Sequence, residues 1–252
     1  MKKILFVFAL VFCGGCLTNQ ADRITQTSTI DALLAGAYDG QMTCGQLLDY
    51  GNFGIGTFDK LDGEMTVLDG RVYQIKTDGK VYTPALSTKT PFATVCNFKP
   101  DIQFEIQNAN FKTAESIIDE KVPNQNTFLA VEISRTFKHI RVRSIPAQQK
   151  PYQPLAEVVK NQSVFNINDV SGTIVGFRTP PFVKGVNVAG YHFHFLSDDF
   201  TQGGHVLDFE LVGGECKIDR CDEFLLILPK DDALKDIDLS KDKSEELQKV
   251  EK

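Results

Sequence analysis

The alternation of apolar and polar positions changes character several times along the chain, and each change marks an element. Nine uninterrupted apolar residues, Ile4 to Phe12, follow Lys2 and Lys3 and stop at "CGGC". Residues 17–26 are polar and read as a tether. "STIDALLAGAYDG" then carries the spacing of a short helix, with Ser28 or Thr29 placed to cap it and Gly36 or Gly40 near its end. From Gly51 the period shortens to that of strands. "GNFGIGTFDKLDGEMTVLDGRVYQIKTDGKVYTP" interleaves apolar runs with D-G turns at Asp62-Gly63, Asp69-Gly70 and Asp78-Gly79, which predicts a meander. "NFKTAESIIDEKV" predicts a helix of about three turns ending before Pro123. "TFLAVEISRTFKHIRVRSI" reads as two strands or one long bent strand.

"PAQQKPYQPL", with its three prolines, is the sharpest break in the pattern. Beyond it come a short helix from Leu155 to Lys160 and strands near 163–168, 170–177, 189–196, 204–211 and 221–228. The expectation is a mixed α/β fold of the α+β kind, β-dominated, with a few short helices. It has two sheet-containing halves, 27–150 and 151–252. The tail after Lys230 is mostly polar and reads, by composition alone, as a solvated helical end.

Length and charge narrow the function. A chain of 252 residues, 42% hydrophobic, can bury a sizeable core, and a net charge of −6 without a basic stripe argues against a nucleic-acid surface. The apolar run at the N-terminus is too short for a membrane-spanning helix, which needs about 20 residues, and has the length and flanks of a signal-peptide core. The small residues leading to Cys16 resemble a bacterial lipobox, although Cys13 stands where that motif usually has leucine. Residues 1–16 are therefore expected to be a lipoprotein signal peptide with Cys16 as the lipidated residue. The protein is expected to be exported by a bacterium and to touch the membrane only through that anchor. Cys44, Cys96, Cys216 and Cys221 remain; Cys216 and Cys221 are the nearest couple, but sequence leaves the pairing open, and buried thiols without a catalytic role are the simpler reading.

Three of the four histidines fall within "GYHFHFLSDDFTQGGHVLDF". On a strand His192 and His194 project to one face, with Tyr191, Phe193 and Phe195 on the other. "SDDFTQGG" supplies a turn, and His205 returns on what should be the neighbouring antiparallel strand. Three imidazoles converging in this way make a metal site with an open fourth position, for which Zn2+ is the first choice; iron, manganese and copper are not excluded by spacing. The pattern alone is also compatible with a zinc hydro-lyase, or with a cupin-like oxygenase in which Asp198 or Asp199 takes the place of the usual glutamate. A surface lipoprotein that binds metal without catalysis is a third reading.

"NVAGYHFHFLSDDFTQGGHVLDF" resembles the metal-binding segment of bacterial α-acetolactate decarboxylases. "GNFGIGTFDKLDGEM" with "GRVYQI" and "KTPFA", "RVRSIPAQQKPYQPL" and "SGTIVGFRTP" resemble further blocks of that family, in the right order from about Ser28 to Pro229. The resemblance implies conversion of 2-acetolactate to acetoin and CO2 with a zinc ion as the only cofactor, by a homodimer. It puts the metal ligands on His192, His194 and His205, and active-site glutamates on Glu64 and Glu251. An active-site arginine falls on Arg143. Arg141 is the competing register for the arginine, and Glu245 and Glu246 compete for the C-terminal glutamate.

The residue types suit that chemistry. The carboxylate of acetolactate is β to a ketone, so loss of CO2 leaves an electron pair that enters the carbonyl as an enediolate, stabilised by the metal as a Lewis acid. A guanidinium offers the planar fork that orients a carboxylate. A carboxylic acid with a pKa raised by burial can return the proton. Without the resemblance, Glu64 would read as a solvent-facing strand residue and Arg143 as one of several exposed cations. Gly51, Gly54 and Gly56 lack the following helix of a nucleotide-binding loop and read as a tight turn. Thr57 beside them is a candidate hydrogen-bond donor to substrate.

Overall fold

In the computed structural model, which describes residues 22–251 apart from Asp236, the strand-rich pattern becomes two large packed sheets and a small two-stranded one. The chain runs through β1 (Arg23–Thr27), α1 (Ile30–Leu34), β2 (Met42–Thr43) and α2 (Cys44–Leu48). Next come β3 (Phe53–Thr57), β4 (Glu64–Leu68), β5 (Arg71–Ile75), β6 (Val81–Tyr82), β7 (Lys89–Thr90) and β8 (Ala93–Cys96). Beyond Cys96 lie β9 (Ile102–Asn110), α3 (Phe111–Lys121), β10 (Phe128–Ser144) and α4 (Leu155–Val158). The chain ends with β11 (Ser163–Thr179), β12 (Gly190–Ser197), β13 (Gly203–Cys221), β14 (Glu223–Ile227) and α5 (Ser244–Val250).

The first sheet has the order β14-β1-β8-β3-β4-β5-β6, and the second β10-β11-β12-β13-β9, with β10 also paired to β13. Strands β10, β11, β12 and β13 therefore form a closed ring of pairings, extended by β9. The division between the sheets falls between Cys96 and Ile102, and the chain returns to the first sheet at β14. The proline-rich stretch near residue 150 is instead the link from β10 to α4, so each of the two large sheets draws strands from both sides of it. Prolines mark where pairing stops, not which sheet the next strand joins.

Local signals explain most elements. Thr29 caps α1, accepting from the Ala32 N–H at 3.2 Å, and Asn110 caps α3 through the Thr113 N–H at 2.8 Å. The two-residue Asp69-Gly70 loop, with φ of 51° and 72°, joins β4 to β5 as a type I′ turn, the geometry that matches strand twist. The long bent strand is β10, one element whose pairing with β13 shifts register between Thr136 and His139 and again between Arg141 and Val142. Residues 163–168 and 170–177 likewise form the single strand β11.

Two expectations change. The stretch 17–26 is not wholly a tether: Arg23–Gln26 lie in β1, an interior strand flanked by β14 and β8. Gln26 within it is buried because it is satisfied. Gln26 Nε2 donates to the carbonyls of Ser28 and Val186, at 2.8 and 2.7 Å, and its oxygen accepts from Asn187 Nδ2 at 2.6 Å. Cys216 and Cys221, nearest in sequence, stand on one strand and enter different apolar clusters, Cys216 among Ile133 and Phe137, Cys221 among Ile24 and Phe128. The proposed signal peptide and Cys16 lie outside the described residues.

Apolar packing fills three layers. Phe53 and Ile55 of the first sheet meet Ala130, Val175 and Phe177 of the second. Met65, Val67 and Val95 pack on the other face of the first sheet against Cys44 and Leu47 of α2. Phe193, Phe195, Val142 and Val206 face α3 and the strands around it. A fourth cluster, from α1, α4, α5 and the loops beside them, roofs one end of the space between the sheets. That roofed end holds the site.

Candidate metal centre

Strand parity sets the positions of the histidines. Phe193 and Phe195 enter the cluster under α3, so His192 and His194 face the opposite way, toward the first sheet. His205 stands opposite His194 across β12 and β13, and Arg143 stands opposite His205 across β10 and β13. Val142 and Val206, the sequence neighbours of Arg143 and His205, lie in the same cluster as Phe193. Arg143, His205 and His194 thus form one transverse row on one face, with His192 two residues along.

The three imidazoles each bring a ring nitrogen within 4.8 Å of the others. His192 Nε2 and His205 Nδ1 are 3.1 Å apart. Two nitrogens at ~2.0–2.1 Å from one tetrahedral ion would be about 3.3 Å apart, so the observed spacing fits a shared cation. His194 Nδ1 lies 2.7 Å from the Met65 carbonyl oxygen, which can only accept. The proton is therefore on Nδ1, and the Nε2 lone pair is left for a ligand, the usual outer support of a metal-binding imidazole. Burial holds all three rings in the neutral form: it pushes His192 down to about 3, with the Arg143 charge adding to the effect, and pushes His194 and His205 well below their usual range. Neutral imidazole is the form that binds metal.

The first sheet contributes from across the gap. Glu64 opens β4 directly opposite Thr57 on β3, just after the turn at Gly63, whose φ is 89°. Thr57 Oγ1 donates to the Gly63 carbonyl at 2.8 Å, and Gly63 N–H donates to the Ile145 carbonyl at 3.2 Å. These bonds pin the turn to the end of β10 and aim Glu64 Oε2 to 3.7 Å from His194 Nε2. Glu64 Oε1 is buried with no partner. Leaving such an acceptor unmet costs about 1–3 kcal/mol, which is tolerable where a proton or ligand meets it.

Glu251 arrives from the other end of the chain. Leu247 and Val250 of α5 pack into the roof cluster beside Ile30, Leu33 and Leu155. Glu251 caps that helix, its N–H bonded to the Leu247 carbonyl at 3.0 Å. Its Oε2 lies 3.8 Å from His192 Nε2 and 3.7 Å from His205 Nε2. Burial pushes both Glu64 and Glu251 up to about 7, and the Arg143 charge opposes the rise in each. Either can hold a proton at neutral pH.

Arg143 is 3% exposed, with Nη1 donating to Gln162 Oε1 at 3.1 Å and a buried Nε that has no partner. Arg141 is exposed, as is Glu245, while Glu246 pairs with Lys243 at 3.1 Å. The structure therefore brings Arg143 and Glu251, not those competitors, to the histidines. Thr57 lines the same pocket, but its hydroxyl hydrogen is committed to Gly63, so it offers a ligand acceptor capacity rather than the donor expected. The cupin-like reading fails on position: Asp198 and Asp199 are exposed, and Asp199 accepts from Ser197 and Thr201 to shape the turn. Sequence reasoning missed Gln162 and the Met65 carbonyl. Gln162 had no signal, since it lies in an irregular link, and a carbonyl has none in principle.

Walls from Leu61, Phe92, Ile145, Leu155 and Val250 close around these polar groups. Ionisable groups whose titration is strongly displaced, gathered in an apolar pocket with a three-imidazole set able to hold a cation, define an enzyme rather than a structural scaffold. A family model for Alpha-acetolactate decarboxylase matches residues 24–241. A relative from Methanosarcina mazei described as Alpha-acetolactate decarboxylase is 48% identical over 93% of this chain and 82% of its own length. One from Methylococcus capsulatus, of the same description, is 44% identical over 93% and 91%. The crystal structure of alpha-acetolactate decarboxylase from Bacillus subtilis superposes with a TM-score of 0.89 at 36% identity, over 91% of this chain and 99% of that one. The chain belongs to the alpha-acetolactate decarboxylase family.

Proposed function

We propose that this enzyme decarboxylates 2-acetolactate to acetoin and CO2, with Zn2+ held by His192, His194 and His205. The observation that carries the reading is the meeting of three neutral imidazoles, one buried guanidinium, one buried carboxyl and one largely buried carboxyl at one end of the inter-sheet space. Zinc bound there supplies Lewis acidity toward the ketone and hydroxyl oxygens of the substrate.

The chain's own residues supply the rest. Arg143, steadied by Gln162, orients the substrate carboxylate so that the bond to be broken lies along the π system of the ketone. A tight grip would oppose CO2 loss, so its contribution is direction. As the C–C bond breaks, its electron pair moves into the ketone and leaves an enediolate. The carbon that lost CO2 then takes a proton from Glu64 or Glu251, each raised by burial to about 7 and therefore able to carry one near neutrality. Leu61, Phe92 and Val250 keep bulk water from competing for that proton.

The test is incubation of zinc-loaded protein with racemic acetolactate, following both products. The reading predicts acetoin and CO2 in equal amounts. Bound zinc without either product would leave a metal-binding protein and refute the proposal.

A further inference from the structure

A second constellation lies away from the histidines, where the chain passes between the sheets. The sulfurs of Cys96 and Cys221 and a carboxylate oxygen of Asp219 all lie within 4.8 Å of one another. Cys96 ends β8 in the first sheet, opposite Ile24 of β1 and Phe53 of β3. Cys221 ends β13 in the second sheet, opposite Phe128 of β10. Both are nearly inaccessible, at 1% and 3% exposure, and both belong to the apolar cluster that joins the sheets. Cys44 and Cys216 sit in two other clusters, so Cys96 and Cys221 are the pair that shares one among the described residues.

The location gives the pair a topological meaning. Cys96 precedes β9, the first strand of the second sheet in chain order, and Cys221 closes β13, the last. We propose that Cys96 and Cys221 form a disulfide in oxidising surroundings, closing the whole five-stranded sheet into one covalent loop stapled to the first sheet. One Sγ–Sγ bond forms; the two thiol hydrogens and two electrons pass to a small-molecule disulfide, which leaves as two thiols. The step belongs to folding, before the core closes. Once the cluster is packed, burial, the Cys221 thiol and the Asp219 carboxylate all push the Cys96 thiol well above its usual range, so little thiolate remains to exchange. A loop of roughly 125 residues is long enough for the cross-link to constrain the unfolded chain strongly. The catalytic groups are untouched, so the staple acts on stability rather than turnover.

The experiment is refolding of the full chain from denaturant in a buffer of oxidised and reduced glutathione. The folded species is recovered, acid-quenched, unfolded without reductant, alkylated and digested. The expected result is a cross-linked peptide pair carrying Cys96 and Cys221, with Cys44 and Cys216 alkylated. Reductant should lower the melting temperature by on the order of 5–10 °C. Cys96→Ser and Cys221→Ser should each lose that dependence on reductant, whereas Cys216→Ser should keep it. Alkylation of both Cys96 and Cys221 in the folded species overturns the proposal. So does a metal ion that persists in His194→Ala and protects Cys96 and Cys221 from alkylation, which would assign them with Asp219 to a cation instead.

Discussion

His194 and His205 stand directly opposite each other on neighbouring antiparallel strands, and a third strand sets Arg143 opposite His205. One transverse row thus carries two of the three imidazoles and the guanidinium, with spacing fixed by backbone hydrogen bonds rather than by side-chain packing alone. His194 is also oriented by the Met65 carbonyl of the opposing sheet. His194→Ala should therefore remove metal and activity together, since two imidazoles seldom hold zinc tightly enough for catalysis. Stoichiometric zinc in that variant, by elemental analysis, would show the ligand set to be wrong.

Arg143→Lys keeps the charge and loses the planar fork and the Gln162 contact. Turnover should fall by roughly 10²-fold while zinc content is unchanged, because small misplacements of a reacting group can cost that much. Gln162→Ala should give a smaller loss in the same direction, since the guanidinium remains but is less well held. Arg141→Lys, at an exposed position, should be silent. The comparison to make is turnover against metal content across all three, and a severe defect in Arg141→Lys alone would reverse the assignment.

The tail separates stability from chemistry. Removing residues 249–252 deletes Glu251 and also Val250, which is 2% exposed in the roof cluster. Burial of such a side chain is worth roughly 1.5–3 kcal/mol, so truncation should lower both melting temperature and turnover. Glu251→Gln keeps Val250 in place and should lower turnover with little change in melting temperature. Glu245→Gln should do neither. An active Glu251→Gln enzyme would leave Glu64 as the proton donor.

How far the sequence disclosed this arrangement depended on the kind of signal each part carries. Periodicity of 2 disclosed the hairpin and the shared face of His192 and His194, because alternation is a local property. The D-G turns disclosed the meander for the same reason. β1 escaped because its buried Gln26 is satisfied by distant partners, Val186 and Asn187, which no local window contains. The division between sheets was misplaced because it depends on which strand the chain pairs with next. Glu64, Arg143 and Glu251 came from family resemblance; in the fold they converge from two sheets and a terminal helix, a relation no spacing encodes. Gln162 was silent throughout.

Asp219 makes stability depend on pH. Burial pushes its carboxyl from 3.8 up to about 6, against the opposing Lys99 N–H at 2.8 Å. The folded chain thus binds a proton that the unfolded chain releases, so its contribution to stability rises as pH falls from about 6 to 4 and is a net cost at neutral pH. Asp219→Asn retains an acceptor for Lys99 and should raise the urea midpoint at pH 7. It should also flatten the gain between pH 6 and 4 relative to wild type. An identical pH profile in the two proteins would remove Asp219 from the account.

One cation held by His192, His194 and His205 is what would make this pocket a decarboxylase. The most direct measurement is to strip the protein with a chelator, add Zn2+ in increments, and follow acetoin formation from acetolactate at each step. Acetoin should not exceed the uncatalysed rate at zero metal, should rise linearly with added Zn2+, and should level off at one equivalent per chain. An undiminished rate from the stripped protein, or no acetoin at any loading, would contradict that role for the cation.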